Sequence, residues 1–137
     1  MLMFISTSLL AADQWPIGKW NMLDDFTESP EAIIQISALK AGGFEGKIIE
    51  VFPAPDDDPV DVCKPCVGLD KNKPIIGLVV FKQLKFNAKK ELVGRVLDPD
   101  SGKIYNCQLR PLPNNRIELH VIVNRLISQD RYLSLAK

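Results

Sequence analysis

The residue types in this chain that could carry chemistry are three cysteines, a single histidine and a run of aspartates. Cys63-Lys64-Pro65-Cys66 has the spacing of a redox dithiol. Such dithiols owe their low thiol pKa largely to a helix N-terminus, and no helical period follows Cys66. The leading reading is a structural Cys63–Cys66 disulfide, which constrains the unfolded chain by about 2 kcal/mol in the loop-entropy model. The alternatives are a Cys63–Cys107 bond, with about 4 kcal/mol from its longer loop, a redox pair, or a metal site. Two cysteines with one histidine make a poor zinc set. Cys107 alternates with Tyr105 and Leu109 and reads as a buried free thiol. Asp56-Asp57-Asp58 lacks the glycine and terminal glutamate of a calcium loop and reads as a solvated acidic stretch. His120 lies between Leu119 and Val121, with no second histidine and no recognisable nucleophile motif. With no acid–base pair, nucleophile or metal set in view, a non-enzymatic protein without a cofactor is expected.

The elements that position these residues are strands. Ala32, Ile34, Ile36 and Ala38 alternate with Ile33, Gln35 and Ser37, the period of two that marks a strand. Lys19–Leu23, Phe44–Phe52, Ile75–Leu84, Leu92–Leu97, Ile104–Arg110, Arg116–Asn124 and Asp130–Leu135 complete a set of eight. Turn signals separate them: Gly42-Gly43, Lys85–Lys90, Asp98-Pro99-Asp100-Ser101-Gly102 and Asn114-Asn115. Gly46 reads as a bulge or bend, and Ser29-Pro30-Glu31 opens a helical turn at most. The pattern predicts an all-β fold, an eight-stranded antiparallel up-and-down barrel or a sandwich. One long loop, residues 53–74 between strands 3 and 4, breaks the rhythm. It is proline-rich and far longer than a hairpin connection, the kind of loop that carries function.

Length and charge bound the rest. At 137 residues the chain is one domain. Lys plus Arg (17) equals Asp plus Glu (17), which argues against an electrostatic nucleic-acid binder. No apolar run reaches the roughly 18 residues a membrane helix needs. Met1–Leu10 followed by Ala11-Ala12 resembles a secretory signal cut after Ala12, although no Lys or Arg precedes its apolar stretch. Residues 1–12 are therefore read as a signal whose basic start lies upstream, with a buried first strand as the alternative, 13–137 as the barrel domain, and the location as periplasmic or secreted. That location favours a disulfide.

Gly18-Lys19-Trp20 at the first strand is the segment with which small lipocalin-type barrels close one end, the glycine turning the chain and the indole plugging the floor. Gly18-Lys19-Trp20, Gly43-Phe44-Glu45-Gly46-Lys47-Ile48, Cys63-Lys64-Pro65-Cys66, Pro74-Ile75-Ile76-Gly77-Leu78 and Leu97–Tyr105 follow one another in the order seen in one bacterial family. Over about residues 16–135 the chain resembles the secreted bacterial family called domain of unknown function 2147. Its most specific piece is Asp98-Pro99-Asp100-Ser101-Gly102-Lys103-Ile104-Tyr105, matching the family's Asp-Pro-X-X-Gly-Lys-X-Tyr. The resemblance implies a lipocalin-like (calycin) barrel and a secreted location, and no established activity. At the C-terminus the chain departs from the family's Arg-Gly-Tyr and Gly-Arg-Thr-Gln-X-Trp; His120-Val121-Ile122 and Asp130–Leu135 stand there, with Arg131 alone in its expected place.

Within such a barrel, Trp20 and Arg131 are expected to stack, for roughly 0.5–2 kcal/mol. Tyr105, Leu109, Leu119 and Val121 are placed inside by alternation, with Phe44, Ile48, Leu78, Val80, Val93 and Leu97 assigned to the same cavity. An eight-stranded barrel is either filled by side chains or holds one small ligand. The leading expectation is a periplasmic or secreted protein that binds a small apolar or amphipathic molecule in that interior. The second is an envelope interaction module with a filled barrel, meeting a protein partner through the long loop and apolar residues around Val79 and Phe81.

Overall fold

The computed structural model describes residues 15–56 and 60–137. The signal assigned to residues 1–12, and Asp57 and Asp58 of the acidic run, lie outside the described residues. Eight strands run β1 Gly18–Leu23, β2 Pro30–Ala38, β3 Phe44–Val51, β4 Val79–Phe86, β5 Leu92–Leu97, β6 Ile104–Leu112, β7 Arg116–Ile122 and β8 Ser128–Leu135. Each pairs antiparallel with the next, and β8 returns to β1, so the sheet is a closed up-and-down barrel. Closure removes the free edges that an open sheet would expose. Pro30 begins β2 rather than a helical turn, and β4 starts at Val79, after Gly77 turns the chain with φ +97°.

This topology gives the barrel two unlike ends. Turns 39–43, 87–91 and 113–115 lie with Trp20 at one end, here the tryptophan end. Turns 24–29, 52–78, 98–103 and 123–127 lie at the other, the loop end. At the tryptophan end the indole N–H of Trp20 donates to the Pro16 carbonyl (3.0 Å), and its ring meets Trp15 edge-on at 6.4 Å.

The register identifies the inner face. Leu92 faces Leu109, Leu109 faces Leu119, Ile117 faces Leu133 and Phe81 faces both Gly46 and Val96. A Cβ on Gly46 would fall 2.6 Å from the Phe81 ring, so the missing side chain makes the space that the ring fills. In β4 the alternation breaks: Lys82 pairs with Arg95 and Lys85 with Val93, leaving one extra residue, and Gln83 takes φ +56°. This bulge keeps both Phe81 and Leu84 on the inside, where strict alternation would put only one of them. Ile36, Phe81, Leu84, Leu92, Leu109, Ile117 and Leu133 have no accessible surface at all. No space the size of a water molecule adjoins them, so this part of the barrel is packed solid.

Candidate functional site

Burial and interior position separate in this molecule. Ile48, Tyr105 and Val121 face inward towards the loop end, and Leu78 is buried beside Ile48, whose N–H it accepts. Leu109 and Leu119 face inward in the packed layers. Phe44 lies at the tryptophan end, its ring against Phe86. Val93 and Leu97 differ from the sequence reading. Val93 is 44% exposed on the outer surface. Leu97 is buried, but on the register face of Arg95, opposite to that of Val96, which faces Phe81. Val80 is buried where β4 gains a residue against Gly46 and Lys47 of β3. Phe81, expected on an exposed patch, is the fully buried centre of the interior.

The long loop lies against the barrel wall and the β5–β6 turn. Cys63 and Cys66 form a disulfide and are themselves fully buried. The loop has its own hairpin-like ladder: Cys63 N–H donates to the Lys73 carbonyl, Asn72 N–H to Cys63 and Ile75 N–H to Asp61. A single 3₁₀ turn, Gly68–Asp70, carries Asp70 onto the barrel wall, where its carboxylate pairs with Lys82 (3.0 Å) and Lys73 (3.6 Å). A buried carboxylate is tolerable here because both partners are cations.

The loop meets the β5–β6 turn at Gly102. With φ +75°, this glycine lets the Asp98–Lys103 turn close, Asp98 accepting from the Asp100 N–H and the Ser101 hydroxyl. A Cβ at Gly102 would sit 2.1 Å from the Pro65 carbonyl oxygen, so only a bare backbone allows the two segments to touch. Cys63 Sγ also lies 3.6 Å from the Pro99 carbonyl. The two motifs singled out in the sequence thus form one junction. Beside it opens a groove of about 510 Å³, lined by Val60, Asp61, Val62, Lys64, Pro65, Pro99 and Asp100. Its volume falls in the range of small-molecule sites, and its walls mix apolar surface with a few charged groups. A smaller recess of about 270 Å³ lies between the 24–28 turn and Arg116, Asp130 and Tyr132.

Arg131 does not stack on Trp20. The ladder between β1 and β8 covers only Trp20–Met22 against Leu133–Leu135. Next to Leu133, Arg131 continues the closure with its side chain: it donates to the Leu23 carbonyl (3.2 Å) and ion-pairs with Asp25 (2.9 Å) and Glu31. The cation–π contact among the described residues is Arg116 over Tyr132, at 5.4 Å. His120 Nδ1 lies 2.6 Å from Asp130 in a cross-strand pair. Cys107 is a buried free thiol whose pKa burial pushes up to about 12, so it stays protonated and inert at neutral pH. Among the described residues no group of His, Cys, Asp or Glu side chains is arranged to hold a metal ion, and no helix is long and apolar enough to cross a membrane.

Sequence reasoning missed the groove and its supports, Asp70 with Lys82 and Gly102 with Pro65. Gly102 was readable as a turn glycine, but nothing local says that a second loop lies against it.

Comparison with known proteins places this geometry. The model of a family described as "Uncharacterized protein conserved in bacteria", domain of unknown function 2147, matches residues 18–132. A solved protein from the human pathogen Helicobacter pylori, HP1028, described as belonging to the lipocalin family, superposes with a TM-score of 0.70 at 14% identity. The match covers 88% of this chain and 82% of that one. At that identity the likeness is one of fold. No curated protein matches the chain.

Proposed function

The chain belongs to the bacterial family called domain of unknown function 2147, and from that premise we propose that it is a non-enzymatic, secreted or periplasmic binding protein for a small amphipathic molecule, held at the loop end of its lipocalin-like barrel. One observation carries the choice of site: the interior layers around Phe81, Leu92 and Leu109 have no accessible surface, whereas the junction of the disulfide loop and the β5–β6 turn leaves a groove of about 510 Å³. Val60, Val62, Pro65 and Pro99 offer apolar contact, and Lys64, Asp61 and Asp100 offer charged groups to orient a polar head. The lipocalin-like fold supports a binding role, and the disulfide fits an oxidising compartment.

Native mass spectrometry of protein purified from the cell envelope tests this. The expected result is a copurified small-molecule adduct, lost in Val60→Asp and kept in Val93→Ser on the outer wall. Both positions are exposed, so both variants fold. A bare mass, even after incubation with lipid extract, overturns the reading. A second reading rests on Val67 and Leu69 of the same loop, the latter 90% exposed: that the loop meets a protein partner. Crosslinking in the envelope that depends on Leu69, with no adduct in the mass spectrum, would favour it.

A further inference from the structure

The tryptophan end carries a patch that the groove at the loop end does not use. Turns 39–43 and 87–91 are neighbours because β3 pairs with β4. Gly43, at φ +80°, lies so close that a Cβ would sit 2.6 Å from the Leu84 carbonyl and 3.4 Å from the Lys85 side chain. Phe44 and Phe86, one from each hairpin, meet edge to face at 5.4 Å. Phe86 stays 46% exposed, and Leu39 on the adjoining tip is also exposed. Around them stand Lys40, Lys85, Lys89 and Lys90, all exposed and none in an ion pair with a carboxylate among the described residues.

The far end has the opposite sign. Its described turns carry eight carboxylates, Asp24, Asp25, Asp98 and Asp100 among them, against five cations, Lys64, Lys71, Lys73, Lys103 and Arg125. A chain with no net charge is therefore polarised along the barrel axis, and such a dipole orients the molecule in an external field. We infer that the tryptophan end docks on an anionic lipid surface, Phe86 and Leu39 entering the interface while Lys40, Lys85, Lys89 and Lys90 pair with lipid phosphates. Three features choose a bilayer as the occupant. The patch is made of convex hairpin tips, and both recesses described above lie elsewhere. Apolar side chains ringed by lysines match the layering of an interface, where lysine stems lie along apolar surface and the ammonium reaches the headgroups. Docking by this end also turns the acidic loops, and the groove, away from the negative surface.

Cosedimentation with vesicles tests it, at about 0.1 M salt so that screening is moderate. The protein should pellet with vesicles of phosphatidylcholine mixed with phosphatidylglycerol and stay in solution with phosphatidylcholine alone. Each surface lysine contributes about fivefold to partitioning, so Lys85→Gln/Lys89→Gln/Lys90→Gln should lose about a hundredfold. Phe86→Ser should weaken the same binding, and a circular dichroism spectrum like the parent's shows that each variant is folded. Equal binding to both vesicle types, no binding to either, or undiminished binding by the lysine variant overturns the inference. So does lysine-dependent capture by a soluble acidic peptide with the vesicles ignored, which would make the partner a protein.

Discussion

At the tryptophan end, side chains from successive strands fill the barrel until Ile36, Leu84, Leu92, Leu109, Ile117 and Leu133 have no accessible surface. At the loop end, the long connection is tied to the barrel wall by Asp70 on Lys82, and its buried Cys63 and Cys66 belong to the same apolar cluster as the strand residues. The first end is stabilised by area removed from water, the second by specific links: a disulfide within the long loop, an Asp70–Lys82 pair from that loop to β4 and a glycine contact between two loops. The comparison teaches that one apolar cluster can be closed by strand packing at one end and by a folded-back loop at the other. An end held by a few specific contacts is also the end free to vary its surface for recognition.

The largest effect should come from emptying the packed region. Phe81→Ala removes the ring that fills the space over Gly46 and should cost about 3–5 kcal/mol in urea unfolding. A loss as small as that of a surface substitution would mean the interior collapses easily and is not the rigid half. Gly102→Ala attacks the other region. Its new Cβ meets the Pro65 carbonyl at 2.1 Å in a left-handed backbone, so about 1–3 kcal/mol should be lost and limited proteolysis should cut the 60–75 loop first. Cys63→Ala/Cys66→Ala should cost about 2 kcal/mol in loop entropy, because the loop it opens is short. Loss of the groove adduct with the barrel still folded would sharpen the contrast between the two ends.

Titration separates the regions more gently. Burial pushes the Cys107 thiol up from the ordinary thiol range to about 12. The unfolded chain therefore releases that proton first, and this contribution to stability, complete below about pH 9, drains away as pH climbs towards 12. Thiol labelling should be slow in the native protein and fast in denaturant, and Cys107→Ala should flatten the alkaline limb. The smallest effect belongs to Asp24 at the loop end. Backbone N–H groups of Thr27 and Phe26 hold its carboxylate below the usual range. Its contribution is present above the ordinary carboxylate pKa and is lost as pH falls through the lowered folded value. Asp24→Asn should reduce the slope of unfolding free energy with pH below about pH 4.

Much of this was legible in the chain. Short apolar β-rich runs separated by turn residues specify the strands, and at turns 39–43, 98–103 and 113–115 Gly42, Gly43, Gly102, Asn114 and Asn115 supply the positive φ that Gly and Asn readily adopt. The long loop and its disulfide were visible as an interruption with paired cysteines. The inward face of β4 and β5 was not. Val79, Val80 and Phe81 are apolar in succession, so periodicity cannot choose between them, and the bulge at Gln83 shifts the count. The partners of Arg131 were equally hidden. A sequence shows that a cation sits near the last strand, but whether it meets an indole or two carboxylates depends on where the 24–29 turn folds.

The seam between β1 and β8 has a mechanical consequence. Its backbone ladder is short, and the strands enter and leave it at the same end, with Ala136 donating to the Lys19 carbonyl there (2.9 Å). A pull applied between the two chain termini loads these bonds one after another, as in a zipper, instead of shearing all of them together. Force from that side opens the cylinder into a sheet at its weakest line, and the Arg131 clamp with Asp25 and Glu31 is the last fastening to yield.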